Sequence, residues 1–312
     1  MKLALLFPGQ GAQHLGMLAP LRDDVAGQDT LAEAASPIEE LTGVPIDSLD
    51  SPELLAGTVR TQLALLVVGV ASGRTIVREL GRPYALGGHS VGAFSAAVIA
   101  GVLTLNEAIR VVHVRAQTMA LLFPSGYAMA ATSGLSPRAA RRLAQEIRAT
   151  GGDLWVANVN SDDQTVFAGN DEALEELVTR AADAGARRVQ RLAVSVASHG
   201  PALAPVVDAI APMLAAVEDR PDPLPCSSNV TGRLLRSAAA VREDLARLTA
   251  EPVQWRDSVA ILVESGIDVF VQARPGRTLV DLAARQHPDL AVIAACDTPI
   301  AKLAACAVRR RI

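Results

Sequence analysis

At residues 88–92 the chain reads Gly88-His89-Ser90-Val91-Gly92, directly after the apolar run 85–88 and directly before the helical stretch 93–100. This is a G-x-S-x-G pattern, in which glycines on both sides let a strand turn sharply into a helix and leave the serine hydroxyl exposed at the turn. A serine so placed has the N–H of the next residue, Val91, unpaired at a helix N-terminus, where it can stabilise an oxyanion. The plainer alternative is a glycine-rich helix start with a capping serine. The strand-turn-helix context favours the nucleophile.

The neighbourhood of the motif fits an α/β sheet with helices on both faces. Residues 2–7 form a short apolar run that ends in Pro8-Gly9-Gln10-Gly11, as expected of a central strand delivering a loop to a site. Helical patterns follow at 16–21, 29–42 and 51–60. Residues 61–80 then make a nearly all-apolar helix that must be buried, and 106–122 form a further helix carrying Arg115. The middle segment changes character. It reads as strand 127–132, helix 137–150, a hairpin of 154–160 and 165–168 around 161–164, helix 171–184 and strand 187–192. That β-α-β-β-α-β order is the ferredoxin-like pattern. The expected architecture is therefore a hydrolase-like parallel-sheet α/β body, 1–125 and 194–312, with an inserted ferredoxin-like α+β subdomain at 126–193. Beyond 194 the alternation resumes, with elements at 237–249, 255–265, 268–271 and 278–285.

Composition narrows the function classes. Half of the 312 residues are apolar and 20% are charged, enough to bury a large core. The net charge of -4 comes from 33 acidic and 29 basic residues with no sustained basic stretch, so nucleic acid is not expected as a partner. The tail Arg309, Arg310, Arg311 reads as a solvated terminus. Cys226, Cys296 and Cys306 match neither a metal knuckle nor a disulfide framework, which fits a reducing cytoplasm. The N-terminal apolar stretch is broken by Pro8 and Gly9 too early for a secretory core. The span 86–105 has membrane-like apolarity but contains His89, Ser90, Ser95 and several glycines, so no membrane role is expected.

A serine nucleophile needs a base, and the chain offers His14, His89, His113, His199 and His287. His89 adjoins the serine, where neighbouring side chains diverge. His287 sits in a polar Arg-Gln-His-Pro loop, and His113 lies within a helix. His199 follows an apolar strand expected at 192–196, on a loop at a strand end, and is the candidate base.

Several motifs carry a resemblance. Phe7-Pro8-Gly9-Gln10-Gly11-Ala12-Gln13, Gly88-His89-Ser90-Val91-Gly92, Arg115 within Val114-Arg115-Ala116-Gln117-Thr118-Met119, Ala197-Ser198-His199 and Pro252-Val253-Gln254-Trp255 occur in one order over nearly the whole chain. Together they resemble the malonyl-CoA:acyl carrier protein transacylase family. The resemblance implies Ser90 as nucleophile, His199 as general base and acid, and the backbone N–H groups of Gln10 and Val91 as oxyanion hole. It implies Arg115 as the group that binds the malonyl carboxylate, with Gly9 and His89 in support. The third triad position in that family is a backbone carbonyl, expected near Gln254. For an isolated arginine, an exposed helix cation would be the plainer reading. The implied substrates are malonyl-CoA and an acyl carrier protein, with no metal and no redox cofactor.

Two positions depart from the family pattern: Ala93 stands where a glutamate is usual, and a late Gly-Pro-Gly turn appears as Arg274-Pro275-Gly276. With the segment 123–131 these look closer to the transacylase subunit of malonate decarboxylase. That would make other decarboxylase subunits partners and the primed thiol one derived from dephospho-coenzyme A. The alternatives are a fatty-acid or polyketide malonyl transacylase, an α/β-hydrolase-type esterase whose late histidine would be His287, and a non-catalytic carrier-binding subunit.

Overall fold

The computed structural model describes residues 2–298 and 302, apart from 124 and 195. Cys306 and the tail Arg309, Arg310, Arg311 lie outside the described residues. The apolar run near the N-terminus forms β1 (Leu3–Phe7), buried at all five positions, as a strand covered on both faces must be. The pattern expected at 16–21 is instead a 3₁₀ turn, Ala19–Asp23, leading into α1 (Val25–Thr42). The stretch 51–60 is not one helix. It divides into α2 (Pro52–Leu55) and the start of α3 (Thr58–Leu80), because Gly57 takes an extended conformation between them.

Strand β2 (Ala85–Gly88) leads into α4 (Gly92–Ile99), and α5 (Leu105–Leu122) follows. The inserted segment runs β3 (Tyr127–Ser133), α6 (Pro137–Ala149), β4 (Leu154–Val159), β5 (Gln164–Asn170), α7 (Asp171–Ala181) and β6 (Arg188–Arg191). The body then resumes with α8 (Ala204–Ala215), β7 (Cys226–Ser227), β8 (Leu234–Leu235), α9 (Ala238–Arg247), α10 (Trp255–Glu264), β9 (Val269–Gln272), α11 (Thr278–Gln286) and β10 (Ala291–Ala294). Among the described residues of 192–196 no strand forms. Pairing of β6 ends at Arg191, and after one last bond from Leu192 N–H to Met129 O the chain leaves the sheet toward the body.

Two sheets result. The main one has the order β10-β9-β1-β2-β7-β8, parallel except for the antiparallel β7–β8 pair. Its alternating side chains sort to two cores, as the period of a strand requires. Leu3, Leu5 and Phe7 pack with α1, α3, α4 and α5. Ala4 and Leu6 pack with α10 and α11. The second sheet, order β4-β5-β3-β6, is antiparallel throughout. One of its faces is covered by α6 and α7, and Met129, Trp155, Ala157 and Val166 on the other pack against Met119, Phe123 and Leu203 of the body. Paired backbone bonds between Val253 and the Ala157–Val159 segment of β4 join the two layers at 2.8 Å each. The cleft between them is where a ligand can reach both.

Helix α5 places Arg115, and its start is fixed by a capping box: Thr104 Oγ1 accepts the Glu107 N–H at 3.2 Å while Glu107 accepts the Thr104 N–H at 2.7 Å. Replacing an N-cap threonine with alanine costs about 1 kcal/mol. Thr104→Ala should therefore lower the unfolding free energy measured by urea titration by that amount while leaving turnover unchanged.

Candidate active site

Ser90 stands on the turn between β2 and α4 with φ of 54°, a left-handed conformation that a serine adopts only when its surroundings hold it there. The flanking glycines are dictated by close approach. A Cβ at Gly92 would lie 2.1 Å from the Phe7 carbonyl oxygen, and one at Gly88 would lie 2.4 Å from the Ala93 Cα. Any side chain at either position would wedge β1, β2 and α4 apart. Gly9 serves the same purpose on the facing loop, where a Cβ would meet the His89 carbonyl oxygen at 2.5 Å.

His199 is buried, also with a left-handed φ of 60°. Its Nε2 lies 2.8 Å from Ser90 Oγ and its Nδ1 lies 2.6 Å from the Leu248 carbonyl oxygen. A carbonyl can only accept, so Nδ1 carries the proton and Nε2 is the bare acceptor for the serine hydroxyl. The third member is thus a backbone carbonyl, that of Leu248 and not of Gln254 itself, with the Glu251 backbone as a further contact of the ring. Leu248 caps the C-terminus of α9, where the last helical carbonyls have no intrahelical donor and are open to an outside one. Gln254 instead sits at the start of α10, its amide directed to the Pro252 carbonyl at 3.3 Å. Burial, and after it the nearby Arg115 charge, push the His199 pKa down to about 3, so the resting imidazole is neutral.

Arg115 is fully buried, not the exposed helix cation an isolated arginine would suggest. Its Nε donates to Thr249 Oγ1 at 3.2 Å, one amino group donates to the Gln62 side-chain oxygen, and the other to Ser90 Oγ at 3.3 Å. Burial lowers its pKa to about 10, which leaves it charged at neutral pH. Among the described residues no acidic side chain pairs with it. A buried charge without a partner carries a desolvation penalty of several kcal/mol, which an incoming anion would offset.

Gln10 and Val91 line the same small cavity, and neither of their backbone N–H groups donates to any group among the described residues. The Gln10 side chain accepts from Thr58 Oγ1 at 3.2 Å, and Thr58 in turn accepts from Gln62 at 3.0 Å. The chain from Arg115 through Gln62 and Thr58 thus ends at the loop that carries the Gln10 N–H. His89 points away from the serine hydroxyl, donating from Nε2 to Asn160 at 3.3 Å and meeting the Trp255 ring edge-on at 5.7 Å. Burial lowers its pKa to about 4. His287 is not among the residues lining the cavity around Ser90. That cavity, about 50 Å³, shares Gln10, His89, Asn158 and Leu192 with an adjoining cleft of about 290 Å³.

Leu248, Thr249, Gln62 and Asn160 were not legible as site residues in the sequence. Leu248 contributes only its carbonyl, which every residue has. Thr249 and Gln62 act as partners of a buried arginine whose burial no local pattern announces.

A hydroxyl hydrogen-bonded to a neutral imidazole, on a strand-turn-helix of a mixed α/β protein and beside two unpaired N–H groups, is an arrangement that can support chemistry through a seryl ester. Residues 4–294 match the acyl transferase domain family, and the chain belongs to it. It is 34% identical over 290 residues to the malonyl CoA-acyl carrier protein transacylase of Salmonella typhimurium, covering 91% of this chain and 92% of that one. It is 30% identical over 305 residues to the protein of the same name from Bacillus subtilis, covering 97% and 96%. The fold aligns at a TM-score of 0.88 and 35% identity, over 97% and 99% of the two chains, with a malonyl-transacylase solved in complex with a type II PKS acyl-carrier protein. It aligns equally, at 0.88 and 32% identity over 99% and 98%, with the malonyl CoA-acyl carrier protein transacylase of Coxiella burnetii.

With its pKa near 3, His199 stays a base far below the usual imidazole range and loses that capacity only as pH falls through the lowered value. Covalent modification of Ser90 by a serine-directed fluorophosphonate should therefore keep a constant rate between about pH 5 and pH 8. An inflection near the ordinary histidine value, in a stopped-time mass assay across that range, would contradict this.

Proposed function

We propose that this acyltransferase moves a malonyl group from malonyl-CoA to the thiol of an acyl carrier protein through an ester on Ser90. The observation that carries the reading is the buried, anion-deficient Arg115 guanidinium in contact with the same hydroxyl that His199 holds. A planar guanidinium binds a carboxylate by two parallel charge-assisted hydrogen bonds, each about 1.5 to 3 kcal/mol. An acetyl group would leave that cation unpaired.

In this mechanism His199 Nε2 takes the Ser90 proton as Oγ attacks the thioester carbonyl. The N–H groups of Gln10 and Val91 hold the oxyanion. Collapse expels the coenzyme A sulfur, which leaves with the proton from His199. The carrier thiol then gives its proton to His199, attacks the seryl ester, and Ser90 Oγ recovers the proton as it departs. Pairing of Arg115 with the substrate carboxylate removes one of the two main causes that depress His199, so the base strengthens as the correct acyl group binds. The small cavity suits the acyl group and the adjoining cleft suits the extended thiol arm. None of these steps calls for a metal or a redox cofactor.

The inserted segment supports a ferredoxin-like assignment through its β-α-β-β-α-β order and its β4-β5-β3-β6 sheet. For the pathway, the acyl carrier protein in the names of the relatives favours a fatty-acid or polyketide transacylase over priming of a malonate decarboxylase. A cytoplasmic location is consistent with free thiols at Cys226 and Cys296. Among the described residues no helix is long and apolar enough to cross a membrane.

Brief incubation with malonyl-CoA should add one malonyl group to Ser90 by intact mass and peptide mapping, with little adduct from acetyl-CoA. Ser90→Ala should give none. Arg115→Ala should still acylate but lose about 10- to 100-fold of its malonyl-over-acetyl preference, the equivalent of one charge-assisted bond. Unchanged selectivity in competition kinetics would remove the carboxylate clamp from the reading.

A further inference from the structure

Ser90, His199 and Arg115 come from three distant stretches of chain, yet all three are moored to the C-terminal end of α9. His199 is tied there twice, by Nδ1–H to Leu248 O at 2.6 Å and by its backbone N–H to Thr249 O at 3.0 Å. Arg115 is tied by Nε to Thr249 Oγ1. Ser90 is tied one turn earlier, through an intermediary. Asn229 Oδ1 accepts the Ser90 N–H at 3.0 Å and Asn229 Nδ2 donates to the Gly88 carbonyl at 2.9 Å, so one amide grips both sides of the strained turn. The Asn229 N–H donates to Asp244 Oδ2 at 3.0 Å. The other Asp244 oxygen accepts from the Ser228 hydroxyl and from the Val230 N–H at 3.3 Å. Asp244 is itself in α9, and its carbonyl receives the Leu248 N–H at 2.8 Å.

Neither Asn229 nor Asp244 lines the cavity, and the mechanism assigns them no proton. Both are buried. A buried carboxylate is an expensive device for a loop that a serine or a backbone bond could hold. Its three donors all come from residues 228–230, and the middle one presents the amide that holds the nucleophile.

We propose that Asn229 and Asp244 are positioning residues for acyl transfer, which hold the Ser90 turn in register with the helix end that orients His199 and Arg115. The inference rests on the reading of Ser90 as nucleophile. It also fixes which donors can serve the oxyanion. The Ser90 N–H is occupied by Asn229 and is withdrawn from that duty, leaving the N–H groups of Gln10 and Val91. Without the Asn229 fork the turn can relax its φ, and Oγ drifts from the 2.8 Å contact with His199.

The test compares the full-length wild type with Asn229→Ala, Asn229→Asp and Asp244→Asn. The readouts are the rate of Ser90 labelling by a fluorophosphonate, kcat and KM for malonyl transfer, the malonyl-over-acetyl preference and the thermal midpoint. A shift of about 1 Å at a reacting group costs on the order of 100-fold. Asn229→Ala should therefore slow both labelling and kcat by about 30- to 100-fold, with KM for malonyl-CoA within about two-fold. The malonyl-over-acetyl preference should be unchanged, because Arg115 keeps Thr249. Asn229→Asp retains an acceptor for the Ser90 N–H but sets an oxygen against the Gly88 carbonyl. Asp244→Asn turns an NH₂ toward a donor. Both should slow labelling in the same direction. Wild-type labelling rates in folded Asn229→Ala, or a raised KM at constant kcat, would overturn the proposal. So would a lowered midpoint with labelling untouched, the mark of a purely structural pair. If Asn229→Ala does not fold, wild-type labelling in both other variants overturns it equally. A wild type that takes no label at Ser90 would instead overturn the nucleophile reading, and this inference with it.

Discussion

The hydrogen bond between Ser90 Oγ and His199 Nε2 joins residues 109 positions apart, and much of the molecule is arranged so that it can exist. Both partners sit at left-handed φ values, each costing on the order of 1 to 3 kcal/mol and persisting only where the surroundings over-determine them. Around Ser90 that determination comes from the parallel β1–β2 pair and from α4, packed so closely that Gly88 and Gly92 tolerate no Cβ. Around His199 it comes from the end of α9 and from Trp155, whose indole N–H donates to the Ser198 carbonyl at 2.9 Å. The strain lies in the loops and the compensation in the layers beneath them.

The electrostatics follow from the same packing. Removing water from the pocket leaves Arg115 charged and the two histidines neutral, because burial disfavours the cationic form of each group and only the arginine starts high enough to keep its proton. A cation poised next to a neutral base and a polarised hydroxyl is selective by default. In the proposed reaction it would favour an acyl group that brings a negative charge over one that does not. The Gln62–Thr58–Gln10 chain carries the position of that cation to the loop facing Ser90. Arg115 and the Gln10 loop are therefore joined by one continuous chain of hydrogen bonds.

The inserted α+β unit closes the other side of the cleft. One face of its sheet is satisfied by α6 and α7. The other turns Met129, Trp155 and Val166 toward the body, and the Asn158–Val253 bridge ties β4 to the body segment just before α10. Asn160 reaches from this unit to His89, so the serine turn is contacted from both sides of the cleft.

Local chemistry determined much of this in advance. The glycines around Ser90, between an apolar run and a helical stretch, point to a tight strand-to-helix turn, because a Cβ at Gly88 or Gly92 would not fit that approach. The all-apolar 3–7 run specifies a strand buried on both faces, and the Ser136 and Asn170 caps open α6 and α7 where they stand. What the tertiary structure alone decided is whatever depends on distant partners. The 192–196 stretch has strand-like composition, yet after the Leu192 bond to Met129 the chain leaves the sheet, and it places His199 on Ser90. The two-residue strands β7 and β8 are too short to show a period. Arg115 looks like any surface arginine of an amphipathic helix until α3 and the Thr249 segment enclose it. The carbonyl that orients His199 comes from Leu248 because that is where α9 ends. A backbone oxygen carries no side-chain signal, so only its place in space could reveal it.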